Sequence, residues 1–276
     1  MREPLASVIS RHNLDARRAL GQHFLLDPGI TDRITELAGP LVGRHVIEVG
    51  PGPGGLTRSL LDSEAASVTA VEVDPRAVSV IRELAEEAPD RLHLVEADAT
   101  GIDLTTLCPT PRRIVANLPY NVATPLLIGW LRQASSWERL TLMFQLEVAE
   151  RICAEPDSDH YGRLAVISQW CATCSQIMRL PPGAFSPPPK VWSSVVELTP
   201  HNEQPDPGLF RAMEQVTAAA FGQRRKMLRG ALKRIGGERL LNEAGIDGSR
   251  RAETLDIGEF DRLARCHLAA SPAKRT

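Results

Sequence analysis

No run in this chain approaches the length of a bilayer span, and Met1-Arg2-Glu3-Pro4 carries no signal-peptide pattern, so no secretory leader is expected. No membrane role is expected, and the cytoplasm is the expected compartment. No disulfide framework is expected, because five cysteines are an odd number and the expected compartment is intracellular. Cys171 and Cys174 form a C-x-x-C pair, but no second pair or nearby His completes a zinc site. They fall in a strand-like run after Trp170 rather than at a helix start, so they read as packing residues and no metal is expected. Charge of one sign is scarce as well. Against 34 Asp and Glu the 32 Lys and Arg leave a net charge of −2, which argues against indiscriminate nucleic-acid binding. Internal repeats and low-complexity tracts are absent.

The charge that is present is unevenly placed. Residues 201–276 hold 14 Lys and Arg against 10 Asp and Glu, a balance of +4, which leaves −6 for the first 200 residues. At 276 residues, with 43% apolar and 24% charged side chains, the chain is long enough for a large domain plus a small one. The turn to His, Asn, Gln, Asp and Pro over His201–Pro207 marks the expected boundary, giving domains 1–200 and 201–276.

Val115-Ala116-Asn117-Leu118-Pro119-Tyr120-Asn121-Val122 organises the first domain. It follows a short apolar strand and precedes a helix that Thr124 would cap, with Pro125 in its first turn. Such a turn lies at the carboxyl end of a sheet, where α/β folds place ligands. Its side-chain amide, its backbone carbonyls and the Tyr120 ring suit a flat ring bearing an amine. The plainer alternative is a Pro-fixed turn whose Asn satisfies its own backbone.

Upstream, Asp27-Pro28 starts a helix that Gly39-Pro40 stops. His45–Val49 reads as a buried strand running into Gly50-Pro51-Gly52-Pro53-Gly54-Gly55 and then a helix, the layout of a nucleotide-binding crossover. Ser67–Val73 is the next strand, and Glu72 at its end stands where a carboxylate accepts both ribose hydroxyls, while Asp74 before Pro75 suits a helix cap. Leu92–Asp98 is the third strand. Its Asp98 either accepts from an adenine amino group or caps the following turn. Further strands are expected at Leu140–Gln145, Leu164–Trp170, Cys174–Arg179 and Ser193–Leu198, with a helix over Glu147–Ala154. The proline-stiffened segment Pro181–Val191 carries Phe185, either as one wall of a site or tucked into the core. Arg11, His12, Arg17 and Arg18 make the N-terminal arm basic. Beyond residue 207 the pattern is helical, and Phe221-Gly222-Gln223-Arg224-Arg225-Lys226 is either a solvated face or a phosphate contact.

Taken together, these segments resemble the ribosomal-RNA adenine N6-dimethyltransferases of the small-subunit, KsgA type, over nearly the whole chain. The resemblance rests on Gly21-Gln22-His23-Phe24-Leu25, Val46-Ile47-Glu48-Val49-Gly50-Pro51-Gly52, Asn117-Leu118-Pro119-Tyr120-Asn121, Tyr161-Gly162-Arg163-Leu164 and Phe185-Ser186-Pro187-Pro188-Pro189-Lys190-Val191. The run Phe221–Lys226 resembles that family more than its antibiotic-resistance relatives acting on large-subunit RNA. The resemblance implies a class I S-adenosylmethionine-dependent methyltransferase fold. That is a Rossmann-like α/β domain with a mostly parallel seven-stranded sheet, followed by a small all-helical C-terminal domain that docks RNA. It implies a cofactor pocket of His23, Leu25, Gly50, Glu72, Asp98 and Asn117. It implies catalytic roles for the Asn117 side chain and the Leu118 carbonyl as acceptors from the amine, with Tyr120 and Phe185 sandwiching the base. It further implies RNA contact through Arg224, Arg225 and Lys226. The substrate would be two adjacent adenosines in a hairpin loop of small-subunit ribosomal RNA, within an immature subunit, and a monomer is expected. One departure is visible: the family usually carries Asn where this chain has His23, and an imidazole can still donate one hydrogen bond.

Three other readings share parts of the pattern. A nicotinamide-linked oxidoreductase accounts for the glycines and Glu72 but not for the Asn117 turn or the basic tail. A resistance-type methyltransferase of large-subunit RNA has the same catalytic parts. A non-catalytic assembly factor could keep the fold. Charge reversal at Arg224 and Arg225 should weaken RNA binding and flatten its salt dependence, as expected when phosphate contacts are removed. Unchanged affinity and salt slope in a binding titration would return that run to a solvated face.

Overall fold

The computed structural model describes residues 3–14, 22–223 and 226–270. In chain order the elements begin with α1 (Leu5–Arg11), β1 (Phe24–Leu25), α2 (Pro28–Leu37), β2 (His45–Val49), α3 (Gly55–Asp62), β3 (Ser67–Glu72) and α4 (Pro75–Glu87). There follow β4 (Leu92–Glu96), β5 (Arg112–Asn117), α5 (Ala123–Leu131), β6 (Arg139–Gln145), α6 (Leu146–Ile152), α7 (Arg163–Cys171), β7 (Ala172–Leu180), β8 (Phe185–Ser186) and β9 (Ser193–Pro200). Four helices close the chain: α8 (Pro207–Phe221), α9 (Leu228–Ala231), α10 (Gly237–Ala244) and α11 (Ile257–Ala270).

Seven strands form one sheet in the order β4-β3-β2-β5-β6-β9-β7. From β4 through β6 neighbouring strands are parallel, while β9 runs antiparallel to β6. All six residues of β3 are buried, as in a sheet covered on both faces. The order proceeds outward from β2 to β3 and β4, then restarts on the other side with β5 and β6. The direction of winding therefore reverses between β2 and β5, and the loops leaving those two strands diverge to opposite faces. Such a reversal opens a crevice at the carboxyl ends of the strands. The glycine turn follows β2 and the Asn117 turn follows β5, so both sequence motifs stand at this crevice.

Local chemistry sets the helix starts. Asp27 accepts from the Gly29 amide at 2.8 Å ahead of Pro28, and Asp74 accepts from the Arg76 amide at 3.1 Å ahead of Pro75. At the amino ends of the strands, buried Arg113 of β5 donates to Glu138 and to the Ala38 carbonyl, each at 2.6 Å. Arg44 also donates to Glu138, and hydrogen bonds from Arg44 and Arg113 hold that carboxyl down at about 2.

Two compact units emerge, one of Met1–Ala149 with Ser175–Pro200 and one of Glu150–Cys174 with His201–Thr276. A single cut after residue 200 was expected, whereas residues 150–174 group with the C-terminal helices. In that second unit Phe221 stacks on Phe260 with ring centroids 5.5 Å apart, and the buried Tyr161 hydroxyl donates to the Leu255 carbonyl at 2.8 Å. The aromatic pair is of a kind worth about 0.5–1.5 kcal/mol beyond area burial.

The structure corrects the expectation at two helices, α7 and α5. Leu164–Trp170, expected as a strand, lies within helix α7, whose Ala165, Val166, Ile167, Ser168 and Cys171 are all buried. An apolar run buried on most sides carries no clear period, which leaves helix and strand indistinguishable in sequence. Helix α5 begins at Ala123 with Val122 as its cap residue and no side-chain cap bond, so Thr124 sits inside the helix rather than capping it. A pairing with no local sign in the sequence also forms: β1 and β8 make a small antiparallel sheet, Phe24 with Ser186 and Leu25 with Phe185, 162 and 160 residues apart.

Candidate active site

The crevice is a single cavity of about 420 Å³ whose walls include both the glycine turn and the Asn117 turn. His23, Leu25, Gly50, Glu72, Asp98, Asn117, Leu118 and Tyr120 all line it. Gly50 has φ of +69°, and a Cβ there would stand 3.5 Å from Pro119, so the two turns pack closely at this point. Gly55, the first residue of α3, approaches the Leu25 carbonyl so closely that a Cβ would lie 2.9 Å from it.

Glu72, at the end of β3, has no cationic partner among the described residues. Backbone N–H groups hold it instead: Oε1 accepts from Val73 and Asp74, each at 2.8 Å, and Oε2 accepts from Gly52 at 3.2 Å. Burial raises its pKa and these three bonds oppose the rise. The same contacts fix the glycine turn to the neighbouring strand. Each carboxylate oxygen still has lone-pair capacity for a hydroxyl donor.

Asp98 is exposed and resolves its two sequence readings partly in favour of the turn. Its Oδ1 accepts from the Thr100 amide at 2.8 Å and the Thr100 hydroxyl at 2.7 Å. Those bonds lower its pKa, the backbone contact most. Its Oδ2 takes no part in those bonds.

Asn117 ends β5. Its Nδ2 donates to the His23 carbonyl at 3.2 Å, which fixes the amide plane and leaves Oδ1 as the acceptor. The Pro119 carbonyl is committed to starting α5, accepting from Val122 and Ala123 at 3.1 Å each. The preceding Leu118 carbonyl is the one left to accept from a ligand amine. Tyr120 donates to or accepts from Ser193 Oγ at 2.6 Å, and its ring lies 5.3 Å from the His23 ring at a 33° tilt. Burial raises the Tyr120 pKa. His23 Nδ1 lies 2.8 Å from the Pro187 carbonyl, which can only accept, so Nδ1 carries the proton and Nε2 is not committed to that contact.

Phe185 is not brought to the cavity. It is 5% exposed and packs in the core with Leu25, Leu180 and Val195, which is the tucked alternative of the sequence reading. Its pairing with Leu25 lets it support the wall from behind. Arg224 and Arg225 lie outside the described residues, as do Gly21, Arg17 and Arg18. Lys226 is described and exposed, with its amide donating to the Gln223 carbonyl at 2.8 Å. Among the described residues no cluster of His, Cys, Asp and Glu could hold a metal ion. Burial pushes the Cys171 thiol up to about 12 and the Cys153 thiol to about 11, so neither is a ready thiolate.

Two contributors were not singled out from the sequence. Ser193 is legible only through its contact with Tyr120. Glu48 left a signal, an acid inside the otherwise apolar strand His45–Val49. It lines the cavity at 1% exposure, and its Oε2 has no hydrogen-bond partner. Burial pushes its carboxyl up to about 8, the Thr57 hydroxyl opposing and the Glu72 charge adding to the shift. A cationic group entering the cavity would complete this carboxylate.

The chain matches a family model described as ribosomal RNA adenine dimethylase over residues 13–267. It is 67% identical to the ribosomal RNA small subunit methyltransferase A of Gluconobacter oxydans, covering 96% of this chain and 88% of that protein. The protein of the same name from Paramagnetospirillum magneticum is 54% identical, covering 95% and 94%. Among solved structures, a dimethyladenosine transferase from Plasmodium falciparum aligns with a TM-score of 0.71 at 24% identity, covering 87% of this chain and 96% of that one. The 23S rRNA methyltransferase ErmE aligns with a TM-score of 0.65 at 26% identity, covering 88% and 98%.

The Glu48 geometry sets a pH dependence. Its folded pKa of about 8 exceeds the ordinary 4.5, so its contribution is full below about 4.5 and lost as pH rises through about 8. Stability of the wild type in denaturant should therefore fall relative to Glu48→Gln between those values. A difference that stays constant across that range would contradict the buried, proton-holding environment.

Proposed function

Because the chain belongs to the ribosomal RNA adenine dimethylase family, we propose that it transfers methyl groups from S-adenosylmethionine to adenine N6 amines of small-subunit ribosomal RNA. The single observation that carries this is the shared cavity, in which a nucleoside-binding half and an amine-binding half open on each other. The small-subunit target follows the relatives above 50% identity rather than the 26% identity to a 23S enzyme.

The residues fit the cofactor. Glu72, held by backbone donors, takes the ribose hydroxyls, and Asp98 takes the adenine amino group of the cofactor. Gly50 and Leu25 let the backbone come close. The unpartnered Glu48 oxygen takes the ammonium end of the amino-acid portion. His23, where the family usually has Asn, adds its backbone carbonyl as the anchor of Asn117 and its ring as a neighbour of Tyr120. When bound, S-adenosylmethionine supplies an electrophilic methyl group on a positively charged sulfur, with a neutral thioether as leaving group.

The chain's task is then the poor nucleophile, an amine whose lone pair is delocalised into the purine. Asn117 Oδ1 and the Leu118 carbonyl accept the two amine hydrogens and favour a pyramidal nitrogen. Tyr120 stacks on the extruded base. Extrusion costs a few kcal/mol and one aromatic contact returns roughly 1–3 kcal/mol, so a single ring is of the right size to hold the base out. Fixed alignment of the two reacting groups supplies much of the remaining rate. The buried Phe185 sits behind this wall. We assign the target as two adjacent adenosines in a hairpin loop, each methylated twice. The substrate is an immature small subunit, the protein acts as a monomer in subunit biogenesis, and Arg224, Arg225 and Lys226 meet phosphate.

Labelled methyl transfer to undermethylated small subunits, followed by nucleoside analysis, tests the reaction. N6,N6-dimethyladenosine is the expected product, and an unlabelled small-subunit RNA would refute the assignment. Asn117→Ala should lower kcat by roughly 100-fold or more, the range typical of removing a group that stabilises developing charge, while cofactor affinity measured by calorimetry changes far less. Equal losses in both would contradict the amine-holding role.

A further inference from the structure

The loop that enters β9 carries a feature the reaction above does not use. Among the described residues few large apolar side chains stay exposed, and two of them are adjacent, Val191 at 44% and Trp192 at 49%. Trp192 is the one aromatic residue in that exposed set. An indole half in water is an unusual use of the largest apolar side chain.

The backbone that carries this indole is held on both sides. The Trp192 carbonyl accepts from the Leu146 amide at 2.8 Å. The next residue, Ser193, is buried and its Oγ meets the Tyr120 hydroxyl at 2.6 Å. Upstream, the Pro187 carbonyl meets His23 Nδ1 at 2.8 Å, and Pro187, Pro188 and Pro189 restrict the intervening chain. With the backbone fixed this way, stacking costs only the freedom of the one side chain.

Its place in the fold is also defined. Ser193 opposes Gln145, the last residue of β6, because β9 runs antiparallel to it. Trp192 therefore stands at the carboxyl ends of the parallel strands, on the same rim as Asn117 and one residue from the contact that holds Tyr120. Within its own loop the charge is of one sign: Lys190 is exposed, and no acidic residue occurs between Gly183 and Ser193, while the exposed Glu147 follows Leu146 at the start of α6. A cation beside an exposed aromatic ring is the combination that holds single-stranded nucleic acid, phosphate on one and base on the other.

Resting on the methyl-transfer reading, we propose that Trp192 is a second stacking platform, which holds the unpaired base next to the target adenine while Lys190 meets its phosphate. Tyr120 selects the reacting base inside the cavity. Trp192 keeps the neighbouring nucleotide from folding back onto it, and so lowers the cost of keeping the loop splayed.

Steady-state methylation of undermethylated small subunits by wild type, W192A and W192F tests this. W192A should raise KM for subunits by roughly 5- to 100-fold, the range that one base-ring contact supplies, with kcat within about twofold. W192F should recover most of the loss, and S-adenosylmethionine affinity by calorimetry should match wild type in both variants. An unchanged KM in W192A, a W192F as poor as W192A, or a parallel loss of cofactor affinity would each overturn the platform. A variant altered only in the sedimentation of the free protein would give the indole to a second copy of the chain and overturn it as well. A wild-type protein that methylates no subunits removes the underlying reading and this proposal together, whereas wild-type activity with an unaltered W192A defeats the platform alone.

Discussion

The hydrogen bond from Asn117 Nδ2 to the His23 carbonyl is the contact on which the site depends. It joins the turn after β5 to the segment before β1, and it does so at the point where the winding of the sheet reverses. Without the reversal the two turns would not face one crevice. Without the hydrogen bond, the amide would be free to rotate and could present a donor where an acceptor is needed. Pro119 adds to the constraint by packing against Gly50 and by spending its carbonyl on the start of α5. What remains available is the side-chain oxygen of Asn117 and the carbonyl of Leu118, two acceptors side by side on a turn that cannot easily relax.

The cavity is rich in carboxylates, and each is treated differently. Glu72 is buried and kept usable by three backbone N–H groups. Asp98 is exposed and half committed to Thr100. Glu48 is fully buried, lacks a partner on one oxygen, and takes up a proton at a pH where an ordinary glutamate would not. Glu72 and Asp98, with no cationic partner among the described residues, make the cavity a poor host for an anion and a good one for a ligand that carries hydroxyls and an amino group, and a positively charged group entering it would draw the proton from Glu48. The cofactor has all three, whereas a pyrophosphate-bearing dinucleotide would set phosphate against this wall. This lining disfavours a nicotinamide dinucleotide more strongly than the glycine spacing favours it.

Much of this was readable in the sequence for a topological reason. Residues at the ends of β2, β3, β4 and β5 reach the same rim whatever the details, so Gly50, Glu72, Asp98 and Asn117 could be placed from strand order alone. Contacts across long separations could not. The β1–β8 pairing that draws Phe185 beside Leu25, and away from the cavity, joins residues 160 positions apart. Helix α7 was hidden because burial on most sides erased its period. Glu48 was visible as an acid in an apolar strand, yet its isolation from partners only becomes evident once Thr57 and Glu72 are in place around it. The division of the chain was half legible: the composition change after residue 200 is real, but nothing local marks residues 150–174 as companions of the C-terminal helices.

The central claim is that sulfur and purine amine are held in one continuous space, with Asn117 reading the amine. A bisubstrate ligand, with adenosine N6 tethered to the sulfur position of the cofactor skeleton, tests it most directly. It should bind the wild type at least about 100-fold more tightly than S-adenosylhomocysteine, and Asn117→Ala should erase most of that gain while leaving the homocysteine product's affinity in place. A tethered ligand that binds no better than the product alone would show that the two halves of the cavity are not joined in the way described.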